Sequence, residues 1–339
     1  MMIKKTENGI SSFAPDKRLR EVLIPSLSTT MLYNSQKYPS AEASKVFALF
    51  GGTGAAVEYS GIGVSSKLLA DTIIEEGGDA YAFQNPLYYN SDNPSGRGEI
   101  IEKYKSLESQ TRWMAHCLEF LLKQQSESIS GGHKSLWIAT QSTSTGVLLQ
   151  LIDDYFHNKQ YAKIVERIEG GFVTGLLGYE PILFEAWLAK EKDFLRKAGK
   201  ADELVLATEE TIWPHMTWAS KGKGGRVSRN TYGPKLFFMG GTNDPLISPN
   251  DQLKVLRAFY ELHPQLDITM VLSDTFHIPF NRLKYKNIKD KIVKAGVMDR
   301  VNPYIKSIVR GHSSFSIPGL KINKDSYYHH SRPICNDIF

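Results

Sequence analysis

The stretch from Ser135 to Tyr155 constrains the fold more than any other part of the chain: Ser-Leu-Trp-Ile-Ala-Thr-Gln-Ser-Thr-Ser-Thr-Gly-Val-Leu-Leu-Gln-Leu-Ile-Asp-Asp-Tyr. It opens with an apolar run, Leu136 to Ala139, of the length and composition of a buried strand. It closes with Val147, Leu148, Leu149, Leu151 and Ile152, which repeat with helical periodicity. Only small and polar residues lie between, and Gly146 is the sole glycine. A strand that reverses into a helix over about four residues must turn sharply. Small side chains let neighbouring backbone approach the turn, and the residue at its tip is pushed out above the sheet.

A serine at such a tip has the geometry of a nucleophile elbow, whose usual pattern is Gly-x-Ser-x-Gly. Two registers fit here. Thr140-Gln-Ser142-Thr-Ser144 centres on Ser142, and Ser142-Thr-Ser144-Thr-Gly146 centres on Ser144. Ser142 is favoured, because four apolar strand residues then lead directly to the small residue before the turn. Ser144 would lengthen the strand by two polar residues and stands as the alternative. The stretch is also compatible with a Ser/Thr-rich helix N-cap that performs no chemistry.

The chain has 339 residues, enough for one large α/β domain with a substantial core. A net charge of +5, spread over the whole length, argues against nucleic acid as a partner. Two cysteines, Cys117 and Cys335, permit one disulfide at most. Cys117 falls in a helical apolar pattern and reads as a buried thiol, so a reducing compartment is the default. The N-terminus carries no apolar signal core, and nowhere do 18 apolar residues run together. These features predict a soluble, cytoplasmic protein without a transmembrane segment; secretion by a route without a cleaved signal stays open.

Taken in order, residues 1–18 form a polar lead-in, and Arg20–Leu27 with Thr30–Asn34 suggest a hairpin. Lys45–Phe50 has buried-strand character and ends in Gly51-Gly52-Thr53-Gly54. A helix is expected over Ser65–Glu76, a strand over Ala80–Gln84, a long loop over Asn85–Gly98 and one amphipathic helix over Glu99–Gln125. Beyond the central stretch, Lys163–Ile168 is expected to return to the sheet, followed by a glycine-punctuated segment, Gly170 to Gly175. A helix follows at Pro181–Lys200, and residues 201–233 interrupt the alternation. Strands are expected at Lys235–Met239 and Ile268–Leu272, with helices at Pro249–His263 and Ile288–Lys294. From about Gly311 onward the chain is a polar tail with little pattern. Such alternation predicts a mainly parallel, doubly wound sheet with helices on both faces, whose sites form at the carboxyl ends of strands.

Two further groups follow expected strand ends. After Lys235–Met239 comes Gly-Gly-Thr-Asn-Asp244-Pro, an acid braced by glycines and proline. After Ile268–Leu272 comes Ser-Asp-Thr-Phe-His277. Each residue alone has a bland reading, a turn aspartate or a core histidine. Together they give the order Ser…Asp…His. On these residues the chain resembles the α/β-hydrolase superfamily, over most of residues 20–300. Phe50-Gly51-Gly52-Thr53 is similar to the family's oxyanion loop, Gly241–Leu246 to its acid loop, and His277 with Pro279 and Phe280 to its histidine loop. Phe50 replaces a common histidine, and the elbow lacks its glycines.

The resemblance implies one domain over 1–339, with core at about 20–180 and 232–300, a helical cap insertion at about 181–231 and the polar tail at about 311–339. It implies a serine hydrolase that cleaves a carboxylic ester or thioester through an acyl-enzyme, on a small-molecule or lipid acyl substrate. Ser142, Asp244 and His277 would form the triad, and the backbone N–H groups of Gly52 and Thr143 the oxyanion hole. An acyltransferase with the same triad and a catalytically silent binding protein are the alternatives. Trp213, His215 and Trp218 either line an acyl pocket or pack the cap onto the core. Lys221, Lys223, Arg226 and Arg229 read as a solvated loop or an anchor for an anionic head group. No cofactor is implied. His312, His329 and His330 lack ligand spacing, and His116 and His133 read as surface or packed residues, so no metal site is expected.

Overall fold

Runs rich in β-branched and aromatic residues, apolar at successive positions, can be buried only where a strand is covered on both faces. The computed structural model describes residues 19–24, 29–34, 45–51, 69–70, 72–86, 97–104, 106–128, 135–175, 233–241, 248–263, 266–273, 305–310 and 320–321. Within them, nine strands form one sheet: β1 (Leu19–Ile24), β2 (Thr29–Asn34), β3 (Lys45–Phe50), β4 (Asp79–Phe83), β5 (Ser135–Gln141), β6 (Ile168–Thr174), β7 (Lys235–Gly241), β8 (Asp267–Ser273) and β9 (Leu320–Lys321). Their order across the sheet is β1-β2-β4-β3-β5-β6-β7-β8-β9. The six strands from β4 through β8 in that order pair in parallel. β1 and β2 form the expected hairpin and join β4 antiparallel.

Alternation along the parallel strands sends side chains into two cores. Val46, Ala48, Phe50, Leu136, Ile138, Leu236 and Phe238 meet the apolar sides of five helical elements. These are α1 (Arg97–Tyr104), α2 (Leu107–Ser128), α3 (Thr143–Asn158), the single turn α4 (Ala162–Val165) and α5 (Pro249–Leu262). Phe47, Leu49, Trp137, Ala139, Phe172 and Phe237 face the other way. They are covered by Leu69, Ala70 and Ile73 of a helical segment, and by Ile305, Ile308 and Val309 of a helix at 305–309. Cys117 is a buried free thiol, and burial pushes its pKa well above the usual thiol range.

Four expectations change. The single helix expected over Glu99–Gln125 is two, because the Ser106 hydroxyl accepts from the Ser109 backbone N–H (3.1 Å) and starts α2 afresh. Lys163–Ile168 holds the end of α4, and its last residue begins β6. Gly170 and Gly171, expected to follow the strand as a glycine-punctuated segment, are the middle of β6: a Cβ on Gly170 would lie 2.5 Å from the Trp137 ring, and one on Gly171 2.9 Å from Leu236. Glycine there marks close packing rather than a turn. Finally, Leu320 and Lys321, in the expected tail, pair antiparallel with β8. The helix expected over Ile288–Lys294 and the cap at 181–231 lie outside the described residues.

Candidate active site

The strand registers put the carboxyl ends of the parallel strands along one rim. Phe50 aligns with Thr140, Gln141 with Thr174, and Gly241 with Ser273. At the middle of this rim the chain passes from β5 to α3 through a single residue, Ser142. Its N–H still donates to the sheet, to the Thr174 carbonyl at 3.0 Å, while its own carbonyl already accepts from Thr145 N–H at 2.9 Å. Serving both ladders forces an unusual backbone, φ 55° and ψ −123°. That is the conformation of the first central residue of a type II′ turn, where glycine is the comfortable occupant. An ordinary N-cap residue sits in the β region and bonds the helix with its side chain. Ser142 has neither feature: its φ is positive, and its side chain makes no capping hydrogen bond.

The small residues around the tip are hydroxyl-bearing, and their hydroxyls are what hold it. Thr145 Oγ1 donates to the Thr174 carbonyl (2.9 Å), Thr174 Oγ1 donates to the Thr140 carbonyl (3.2 Å), and the Thr140 and Thr145 hydroxyls lie 3.3 Å apart. All three threonines are buried. Ser144, at the second position of α3, is also buried and donates its hydroxyl to the Gly51 carbonyl at the end of β3. At positions 140 and 144, where the usual elbow has glycines, this chain carries a threonine whose hydroxyl meets that of Thr145 on α3 and a serine that bonds the end of β3. Ser142 itself is only partly buried. Thr143, the residue after it, is buried at the first position of α3.

Of the other residues singled out from the sequence, Gly52, Asp244, His277, Trp213, His215 and Trp218 lie outside the described residues. The strands that lead to three of them are described. Gly52 follows β3 through Gly51, Asp244 is three residues past the end of β7, and His277 is four past the end of β8. The β7 end is tied down by Gln252 of α5, whose Nε2 donates to the Gly241 carbonyl (3.3 Å). Among the described residues, the group suited to holding a metal ion is not at this rim. It is Asp153, His157 and His263, at the far end of α3.

The strand order, with β2 alone reversed ahead of six parallel strands and a sharp strand-to-helix turn after β5, decides the architecture. This is the α/β-hydrolase fold. Solved structures agree. A soluble variant of monoglyceride lipase from Saccharomyces cerevisiae superposes with a TM-score of 0.54 at 13% identity, covering 90% of this chain and 97% of that one. A carboxyl esterase from the mycorrhizal fungus Tuber melanosporum gives 0.53 at 12% identity, with 88% of each chain covered. An HSL homologue from a metagenome library gives 0.51 at 11%, covering 88% of this chain and 89% of that one. No family sequence model matches the chain, and no curated protein matches it in sequence. No helix among the described residues of this α/β-hydrolase fold is long and apolar enough to cross a membrane.

Proposed function

We propose that the protein is a serine hydrolase that cleaves a carboxylic ester or thioester through an acyl-enzyme, with Ser142 as nucleophile. The observation that carries this reading is the backbone of Ser142, φ 55° and ψ −123° between β5 and α3. Strain of that kind persists only where the surroundings impose it, and here it raises a partly exposed serine above the strand ends. Ser144 is the poorer nucleophile, since it is buried with its hydroxyl donated to the Gly51 carbonyl. The esterase and lipase structures that share the fold make ester cleavage the first activity to assay.

In this reading His277 is the base and Asp244 its orienting acid. Both loops have the reach. Neighbouring strands are about 4.8 Å apart, so β7 stands roughly 10 Å from β5, and β8 roughly 14 Å. Three and four extended residues span about 10 and 14 Å before any side chain is added. An imidazole with an ordinary pKa of about 6.5 takes the serine proton at neutral pH and returns it to the leaving group. Asp244 holds its tautomer and stabilises the imidazolium. The N–H groups of Gly52 and Thr143 receive the developing oxyanion, and loss of one such donor costs on the order of 3 kcal/mol in the transition state. In this reading the segment 181–231 would cap the pocket, with Trp213, His215 and Trp218 either lining its acyl side or packing the cap onto the core.

A fluorophosphonate probe followed by peptide mapping tests the assignment. Wild type and Ser144→Ala should be labelled on Ser142, and Ser142→Ala should not be labelled. A label on Ser144, or no label on a folded wild-type protein that also fails to turn over p-nitrophenyl esters and acyl-thioesters, would overturn it.

A further inference from the structure

At the other end of α3 from the elbow, its last turns present Asp153 and His157 one helical turn apart on the same face. The chain returns to this place 110 residues after Asp153, at His263, the C-cap residue of α5. His263 is 1% exposed. Its ring is held by stacking on Phe156 (5.1 Å) and by edge contact with Phe259 (4.9 Å), and it faces the His157 ring at 5.9 Å. Both imidazoles converge on one carboxylate oxygen. His263 Nε2 lies 2.8 Å from Asp153 Oδ1, and His157 Nδ1 lies 3.2 Å from the same atom and 2.9 Å from the Asp153 carbonyl. One ligand-type atom from each residue lies within 4.8 Å of the other two.

His263 is buried with its Nε2 turned to Asp153, while its Nδ1, on the side of the ring away from the cluster, has no partner among the described residues. His157 Nδ1 donates to the Asp153 carbonyl in the last turns of α3, and an ion would take the place of that hydrogen bond. We propose that Asp153, His157 and His263 form a binding site for a first-row divalent transition ion of the Zn²⁺ class, which staples the end of α3 to the end of α5. The donor set selects the ion. Two imidazole nitrogens and one carboxylate oxygen suit Zn²⁺ and its neighbours, whereas Ca²⁺ and Mg²⁺ favour oxygen ligands throughout. In a tetrahedral site with bonds of about 2.0–2.1 Å, ligand atoms are roughly 3.4 Å apart, so the pairs now at 2.8 and 3.2 Å open by about 0.6 and 0.2 Å, while the two imidazole nitrogens, within 4.8 Å of each other, settle at the same spacing. His157, whose side chain is 28% exposed, forms the solvent-facing edge of the cluster. The site lies at the opposite end of α3 from Ser142, so its role is to fix two helices and not to activate a substrate.

The full-length protein, freed of metal with a chelator, is titrated with ZnCl₂ by calorimetry and melted with and without the ion. The expected result is one tight equivalent of Zn²⁺ and a rise of several degrees in melting temperature, reversed by EDTA. His157→Gln, at the exposed edge of the cluster, should melt within about 2 °C of metal-free wild type and lose both the binding and the rise. Co²⁺ should give visible d–d absorption in wild type and none in His157→Gln. Should His263→Gln fail to fold, His157→Gln and Asp153→Asn still decide the matter. Absence of a stoichiometric site in wild type, or a Zn²⁺-dependent rise that survives in His157→Gln, overturns the proposal. The latter outcome would place the ion on other histidines of the chain.

Discussion

At Ser142 the backbone and the proposed chemistry pull in opposite directions. A non-glycine residue in its conformation costs on the order of 1–3 kcal/mol, which a glycine would not incur. Ser142→Gly should therefore fold more stably than wild type by about 1 kcal/mol after glycine's own entropy cost, yet hydrolyse no ester. Ser142→Ala keeps the strain and should lose at least about 10³-fold in kcat. Thermal melts beside an ester assay check both, and a Ser142→Gly variant less stable than wild type would show that the strain is not stored there. Ser144 makes a separate, kinetic prediction. In a trans peptide the carbonyl and the following N–H point in opposite directions, so in the proposed oxyanion hole a hydroxyl fixed on the Gly51 carbonyl would also orient the Gly52 N–H. Ser144→Ala should lower kcat about 10-fold with KM little changed, short of the 10²–10³ that follows outright loss of an oxyanion donor. Equal kcat in the two proteins would mean that the Gly51 loop needs no such anchor.

At the scale of elements, the parallel strands were legible because burial on both faces leaves continuous apolar runs. The expected β3 has the observed ends, and β5, β7 and β8 each gain only two or three residues. β6 begins only where the strand expected at Lys163–Ile168 ends, an offset that arises because its glycines look like punctuation. Their reason lies on the neighbouring strands, where Trp137 and Leu236 occupy the space a Cβ would need. No local pattern announces a tryptophan that is adjacent only through strand pairing. Gly170→Ala should accordingly destabilise the fold by about 1–3 kcal/mol through overpacking, since the added carbon meets Trp137 ring atoms at 2.5 Å and the Lys235 carbonyl at 2.8 Å. Trp137→Phe removes those ring atoms. In a double-mutant cycle by urea denaturation, it should therefore recover part of the loss. Additive effects would mean that the Lys235 backbone, and not the indole, sets the need for glycine. The same limit explains the two sites. The elbow is contiguous and could be read from composition, whereas Asp153 and His263 become neighbours only after β6, β7 and α5 are in place.

Across the whole molecule, the second face of the sheet is closed by segments from opposite ends of the chain, and one carboxylate joins them. Glu76, at the end of the 69–75 helical segment, receives Lys306 Nζ on Oε1 at 2.9 Å. Its Oε2 receives Arg310 through both Nε and an Nη, each at 2.7 Å. The Lys306 hydrogen bond foremost, opposed by burial and seconded by Arg310, holds the Glu76 carboxyl below its ordinary pKa. A carboxylate whose pKa is lowered by folding stabilises the native state at every pH above its unfolded value of about 4.3. That stabilisation is lost as pH falls through the lower folded value. Glu76→Gln should therefore melt below wild type by a constant margin from pH 7 down to about 5, and the two curves should converge below about pH 4. Lys306 and Arg310 are roughly half exposed, so 1 M NaCl, with a screening length of about 3 Å, should narrow the neutral-pH margin without abolishing the hydrogen-bonded part. A margin that stayed constant into acid would show that Glu76 acts through packing alone. Ile305, Ile308 and Val309 would then have to hold the helix at 305–309 on Phe47, Phe172 and Phe237 without electrostatic help.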